Sequence, residues 1–371
     1  MSVARTPLDV SQLGPDAQRA LASPSTRMLA ARGMLPVARP RDLLCLLYQL
    51  GFDSDDRLKE AALTSARALP DGVLRGGLSD PAIDKRVLDF FSWALAGAPG
   101  AAAAIDLILS NPTTADDTVV TLAARASQAE VDVIATNEER LLRCPAIIGA
   151  MYGNRNARMS TVDRVIELAV RHNIRVLGIP AWDEIVKVYA PGGPAPEADR
   201  SMPDDRKDAL FAHAARVNAD QAEPEGSDTA PVPEESVARE IWALPVPMKI
   251  RLAMLGNAFD RAILIRDPKK VVAIAAVKSP GMTDAEVVKY AGLSTLAEEV
   301  IGYIANRREW TKLYTVKLSL VNNPKCPLGL AMRLLPHLRE KDIDALARSK
   351  GIPSALSAQA RKFVMQRGAR R

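Results

Sequence analysis

The stretch Leu109-Ser110-Asn111-Pro112-Thr113-Thr114-Ala115-Asp116 decides how this chain is read, because a small polar residue and a proline stand in front of a helix-like run. The same dipeptide type recurs at Ser23-Pro24, Asp80-Pro81, Asp267-Pro268, Ser279-Pro280 and Asn323-Pro324. Ser, Asp and Asn accept hydrogen bonds from the free N–H groups of a helix's first turn. Proline suits the next position, where its missing N–H leaves no bond unmade and its φ is already helical. A helix start repeated this often predicts stacked helical units, hence an interaction surface rather than a pocket built for chemistry.

Composition points the same way. At 371 residues the chain is too long for one ordinary core, so two domains or a solenoid are expected. Apolar residues make up 48%, mostly Ala, Leu, Val and Ile, while aromatics are only 4%, and long alternating strand patterns are absent. The predicted fold class is all-α. The stretch from Met1 to Leu8 has no apolar core after a basic start, so no secretory signal is expected there. The apolar run from Trp93 to Leu109 is interrupted by Gly97, Pro99 and Gly100, contains Asp106, and falls short of the ~20 apolar residues of a spanning helix. It reads as a buried helix pair. Cys45, Cys144 and Cys326 are scattered and odd in number, which suits a reducing cytoplasm better than a disulfide framework or a zinc site.

Four regions separate along the chain: a tail at 1–14, a helical-repeat domain at 15–189, an acidic Pro-rich linker at 190–238, and a basic helical-repeat domain at 239–371. The linker's low hydrophobicity and its Pro, Gly and acidic residues predict that most of it stays disordered. One amphipathic helix is expected inside it, from Asp204 to Gln221, with Leu210, Phe211, Ala214 and Val217 on one face. The two helical regions match each other. Setting 111–169 against 279–338 with a single gap pairs Pro112 with Pro280, Asp116 with Asp284, Ala123 with Ala291 and Asn154 with Asn323. Each proline precedes its second asparagine by about 43 residues, close to the ~40–47 of HEAT-type helix pairs.

The stretches Arg266-Asp-Pro-Lys-Lys-Val-Val, Lys278-Ser-Pro-Gly-Met-Thr, Ile304-Ala-Asn-Arg-Arg-Glu-Trp and Val321-Asn-Asn-Pro-Lys-Cys-Pro resemble bacterial HEAT-like or leucine-rich-variant helical repeats. The resemblance covers the C-terminal third well and the N-terminal half loosely. It implies an α-solenoid that binds proteins or, in some families, nucleic acid. It transfers no functional residue, because the matching positions are caps and core. One leucine-rich-variant family holds an iron–sulfur cluster on clustered cysteines, a pattern this sequence lacks.

No phosphate loop of the G-x-x-x-x-G-K-[ST] type, no G-x-S-x-G and no H-E-x-x-H occurs. His172, His213 and His337 are mutually distant, so helix-end or surface roles are expected. Trp310 and Tyr314, at i and i+4, read as helix core. No enzyme, metal or cofactor is predicted. Charge is the one functional hint: residues 241–371 carry 23 Lys and Arg against 10 Asp and Glu, leaving 26 basic and 34 acidic residues upstream. Arg308, Lys312, Thr315 and Ser319 are predicted to share one helical stripe. The candidate interaction surface is Lys269, Lys270, Arg308, Lys312, Arg361, Lys362 and Arg367. The expected function is a non-enzymatic cytoplasmic scaffold or adaptor that binds a protein partner. The alternative is a nucleic-acid-binding helical repeat that uses the basic C-terminal half.

Overall fold

The computed structural model describes residues 5–36, 38–98, 101–189, 202–220, 234–349 and 351–368. Of residues 12, 213–220, 234–235 and 367–368 only the backbone is described. Among the described residues there are 25 α-helices and no strand, in agreement with the all-α expectation. The chain divides into two compact units, Met1–Ile179 and Pro180–Arg371. The predicted linker residues 190–201 and 221–233 lie outside the described residues, whereas the helix expected between them is present at Asp204–Asp220.

In the first unit two layers of short helices face each other. One layer runs through Pro40–Leu50, Asp71–Leu78, Ala101–Ser110 and Gln128–Thr136, each packed on the next. The other runs through Asp56–Arg67, Lys85–Ala94, Asp116–Ala123 and Ala146–Gly153. Every helix is too short to be stable alone and depends on burying its apolar stripe against its neighbours. Leu44, Leu46, Leu47 and Leu50 are fully buried on Pro40–Leu50, and Gly77 lets the following helix approach so closely that a Cβ there would meet Leu44 Cδ2 at 2.7 Å. The apolar run from Trp93 to Leu109 is split between Lys85–Ala94 and Ala101–Ser110, with Gly97 between them at φ +77°. No described helix is long and apolar enough to cross a membrane.

The second unit repeats the plan. Val246–Leu255, Lys270–Val277, Glu298–Asn306 and Leu328–Leu334 pack in succession, with Asp284–Ala291 against Tyr314–Asn322 alongside. Trp182–Tyr189, which the sequence reading placed with the N-terminal helices, packs on Val246–Leu255. Phe211 of Asp204–Asp220 lies under the Arg251 guanidinium, 4.3 Å from its carbon, on that same helix.

The polar-residue–proline dipeptides do something different from what their composition predicts. Only Ser23-Pro24 sits at the N-cap and first helical position. At Asp80, Asn111, Ser279 and Asn323 the dipeptide opens a turn, with the carbonyl of residue i accepting from the N–H of residue i+3, and the helix begins a few residues later. Asn or Asp first and Pro second is what such a turn favours. Asp267-Pro268 likewise lies ahead of the cap, with Asp267 two residues before the N-cap Lys269 of Lys270–Val277, and the Asp267 Oδ1 accepts from the Lys269 N–H.

The buried asparagines also bridge hairpins. Asn111 donates its amide to the carbonyls of Leu78 (2.7 Å) and Asp80 (3.1 Å), and Asn154 donates to those of Ala123 (2.9 Å) and Ala126 (2.8 Å). Asn323 donates to those of Ala291 (2.8 Å) and Leu293 (3.1 Å). Each amide oxygen accepts from the N–H two residues on. Ser279 performs the same pair of roles more weakly, donating to Met254 and accepting from the Gly281 N–H. The sequence match that paired Asn154 with Asn323 and Ala123 with Ala291 therefore pairs residues in equivalent hydrogen bonds.

Candidate functional site

Among the described residues of the second unit, exposed cations and half-buried rings gather where two neighbouring helices end. Lys278 is the C-cap of Lys270–Val277, and Arg307 is the C-cap of Glu298–Asn306, which packs beside it. Both cations converge on Tyr303. The Lys278 Nζ lies 5.4 Å from the Tyr303 ring centroid and the Arg307 guanidinium carbon 5.3 Å from it. The same guanidinium lies 5.7 Å from the Trp310 centroid, and the two rings meet edge to face at 6.0 Å and 68°. Arg307 Nε and Nη2 both donate to the Tyr303 hydroxyl, at 3.0 and 2.6 Å, which holds the guanidinium pKa above its ordinary value. Cation–π contact of this kind restricts the cation to one place.

Local sequence explains the arrangement. Glu299, Tyr303 and Arg307 follow one another at four-residue intervals, so they rise along one side of their helix. At the other end of the pair of helices, Lys270 is ion-paired with Glu299, and this hydrogen bond raises the ammonium pKa and lowers that of the carboxylate. The two helices thus run side by side with a salt bridge at their N-terminal ends and a cation–aromatic cluster at their C-terminal ends.

The predicted surface residues divide accordingly. Lys269 and Lys270 are exposed at the start of the first helix, and Arg308 and Lys312 are exposed just beyond Arg307. The single stripe predicted for Arg308, Lys312, Thr315 and Ser319 does not form. The helix stops after Arg308–Thr311 and restarts at Tyr314–Asn322, with Leu313 in extended backbone as the new N-cap. Trp310 and Tyr314 are half-buried and not core. Tyr314 instead donates its hydroxyl to Asp342 and accepts from the Arg339 N–H, under the Arg339 guanidinium. Arg361 turns its Nε to the Ala347 carbonyl at a helix end, 3.0 Å away, where a cation complements the helix dipole. Lys362 is exposed, and the Arg367 side chain lies outside the described residues. Sequence reading missed Lys278, Tyr303 and Arg307. The i, i+4 spacing of Tyr303 and Arg307 was the available signal; the approach of Lys278 required the packing.

Other chemistry-bearing side chains are dispersed. Cys45 and Cys326 are buried, which pushes their thiols up to about 12 and about 11, away from reactive thiolate. His172 caps the C-terminus of Met159–Arg171 and His337 ends a short 3₁₀ turn, while the His213 side chain lies outside the described residues. No group of three or more His, Cys, Asp or Glu among the described residues is arranged to hold a metal ion. Open cavities among the described residues include one of about 410 Å³ in the first unit around the Arg27–Asp53 ion pair and one of about 330 Å³ beside Arg348 and Arg361. Comparison of the chain with models of protein families, with curated proteins and with solved structures gives no match.

Proposed function

We propose that this chain is a non-enzymatic adaptor, an α-solenoid of HEAT-like units that binds a protein partner through an exposed repeat face. The observation supporting this reading is the asparagine bridge between successive hairpins, repeated at Asn111, Asn154 and Asn323. The bridge joins units through buried backbone carbonyls and turns, so stacking does not consume the outer helix faces. Faces of that kind suit extended partners. Its setting in the cell is proposed to be the cytoplasm.

Affinity capture of the full chain followed by mass spectrometry tests the reading. A specific protein recovered reproducibly, and retained after nuclease treatment, is expected. Recovery of only chaperones and abundant background proteins counts against it. The excess of 23 basic over 10 acidic residues in 241–371 favours nucleic acid as the second reading. That reading requires binding to single or double strands that weakens steeply with the logarithm of salt concentration.

A further inference from the structure

We propose that Lys278, Tyr303, Arg307 and Trp310 form a recognition site for an acidic peptide segment, with Arg307 gripping a carboxylate; this rests on the adaptor reading and names the chemistry of its partner. Arg307 is held on one side by the Tyr303 hydroxyl and by two rings, yet its side chain remains 47% exposed. The bonds to Tyr303 use Nε and Nη2 and leave Nη1 outside them. Glu309, the acidic group paired with Nη1 among the described residues, stands 3.9 Å away and is itself 78% exposed, so solvent screens the contact. An arginine with its rotamer already fixed gives up little further side-chain entropy on binding an oxyanion, and its planar fork matches a carboxylate bidentately. Lys278 supplies a second exposed cation on the same ring. Two carboxylates a few residues apart in a peptide can therefore be met by two positioned cations.

Nucleic acid fits the same cluster less well, for two reasons. Single strands bind by stacking bases on ring faces, but here Tyr303 already carries Lys278 and Arg307 while Trp310 carries Arg307. A phosphodiester chain also presents a charge at every nucleotide and gains by contacting a continuous basic track. This track is interrupted by Glu299 at one end and Glu309 at the other. A short acidic segment needs only the cations between them.

The test uses the full chain and a fluorescent hexaglutamate peptide, with hexaglutamine and a twelve-residue oligothymidylate as comparison probes, read by anisotropy at two salt concentrations. Hexaglutamate is expected to bind, hexaglutamine not, and K278Q/R307Q to lose at least ~10-fold in affinity, the effect of removing about 1.4 kcal/mol. Y303F, which keeps the ring and removes the hydroxyl that holds Arg307, is expected to lose a smaller factor. The control K289Q/K341Q removes the same charge from exposed positions elsewhere in the unit and is expected to bind normally. Equal losses from the control overturn the site in favour of diffuse charge attraction. Tighter, R307-dependent binding of the oligonucleotide overturns the peptide assignment in favour of nucleic acid. Absent peptide binding overturns the site while a captured protein partner leaves the adaptor reading standing. Peptide binding without any captured partner does the reverse.

Discussion

Replacing Asn323 by alanine removes three hydrogen bonds at once: two from its amide to the Ala291 and Leu293 carbonyls and one accepted from the Lys325 N–H. The side chain is 3% exposed, so water cannot take over these contacts without entering the hairpin junction. At about 1 kcal/mol net per bond, the loss comes to about 3 kcal/mol. Asn154 provides an internal comparison. Its removal breaks the bonds to the Ala123 and Ala126 carbonyls and from the Asn156 N–H, but the Ala126 carbonyl keeps a second donor, the amide of Asn156 at 3.2 Å, closer than the Leu296 N–H that stays on Leu293 at 3.5 Å. The expected loss for N154A is therefore smaller, about 2 kcal/mol. N323D should be worse than N323A near neutral pH, because it aims a carboxylate at two carbonyl oxygens in a site with little water. Burial raises the pKa of that introduced carboxyl, so the protonated form is the one the fold accepts. The N323D deficit is accordingly smallest below about pH 4, the ordinary Asp range, and grows as pH rises through the raised folded-state value. Native-state hydrogen exchange resolved by peptide reads the effect locally, in segments covering Asp284–Ala291 and Leu328–Leu334, without assuming that the two units unfold together. Loss of protection by less than about 0.5 kcal/mol in both N323A and N323D would refute the bridging role.

Two further predictions concern buried carboxylates. Burial pushes Asp260 up to about 6 from 3.8, against the pull of the Asn257 backbone N–H and of Arg261. A raised carboxyl stabilises the fold below the unfolded value and loses that contribution as pH climbs from about 4 to about 6, by up to about 3 kcal/mol. D260N keeps an oxygen for the Asn257 N–H and cannot ionise, so its melting temperature relative to wild type should rise across that window; parallel curves for the two proteins would exclude the effect. Asp267 has a fully buried side chain ion-paired to Lys249 at 3.1 Å, so K249M strands a charge and should cost about 3–5 kcal/mol. Adding D267N should recover most of that in a thermal or urea melt, and a double variant no better than K249M would contradict the pairing.

How much was legible beforehand depends on whether a residue's partner is local. The helix runs, the caps at Asp55, Asp84 and Asn137, and the capping boxes Ser127/Glu130 and Thr283/Glu286 all act within three residues, and sequence spacing carries them. The polar–proline dipeptides were legible as punctuation yet misread in detail. A side chain that accepts from the N–H two residues on closes a turn just as readily as it caps a helix. The helix predicted through Arg308 and Ser319 failed at Lys312 and Leu313, where no glycine or proline announced a break.

By itself the sequence determined an all-α fold for the described residues and a basic C-terminal portion, and it matched Asn154 with Asn323, because periodicity, turn chemistry and charge are properties of neighbouring residues. Tertiary structure alone decided that Asn111, Asn154 and Asn323 donate across about thirty residues to the previous hairpin. It alone brought Lys278 to the ring that Arg307 also grips. Both outcomes depend on the register in which one helix lies against the next. That register is set by the fit of whole apolar faces, and no short stretch of sequence contains it.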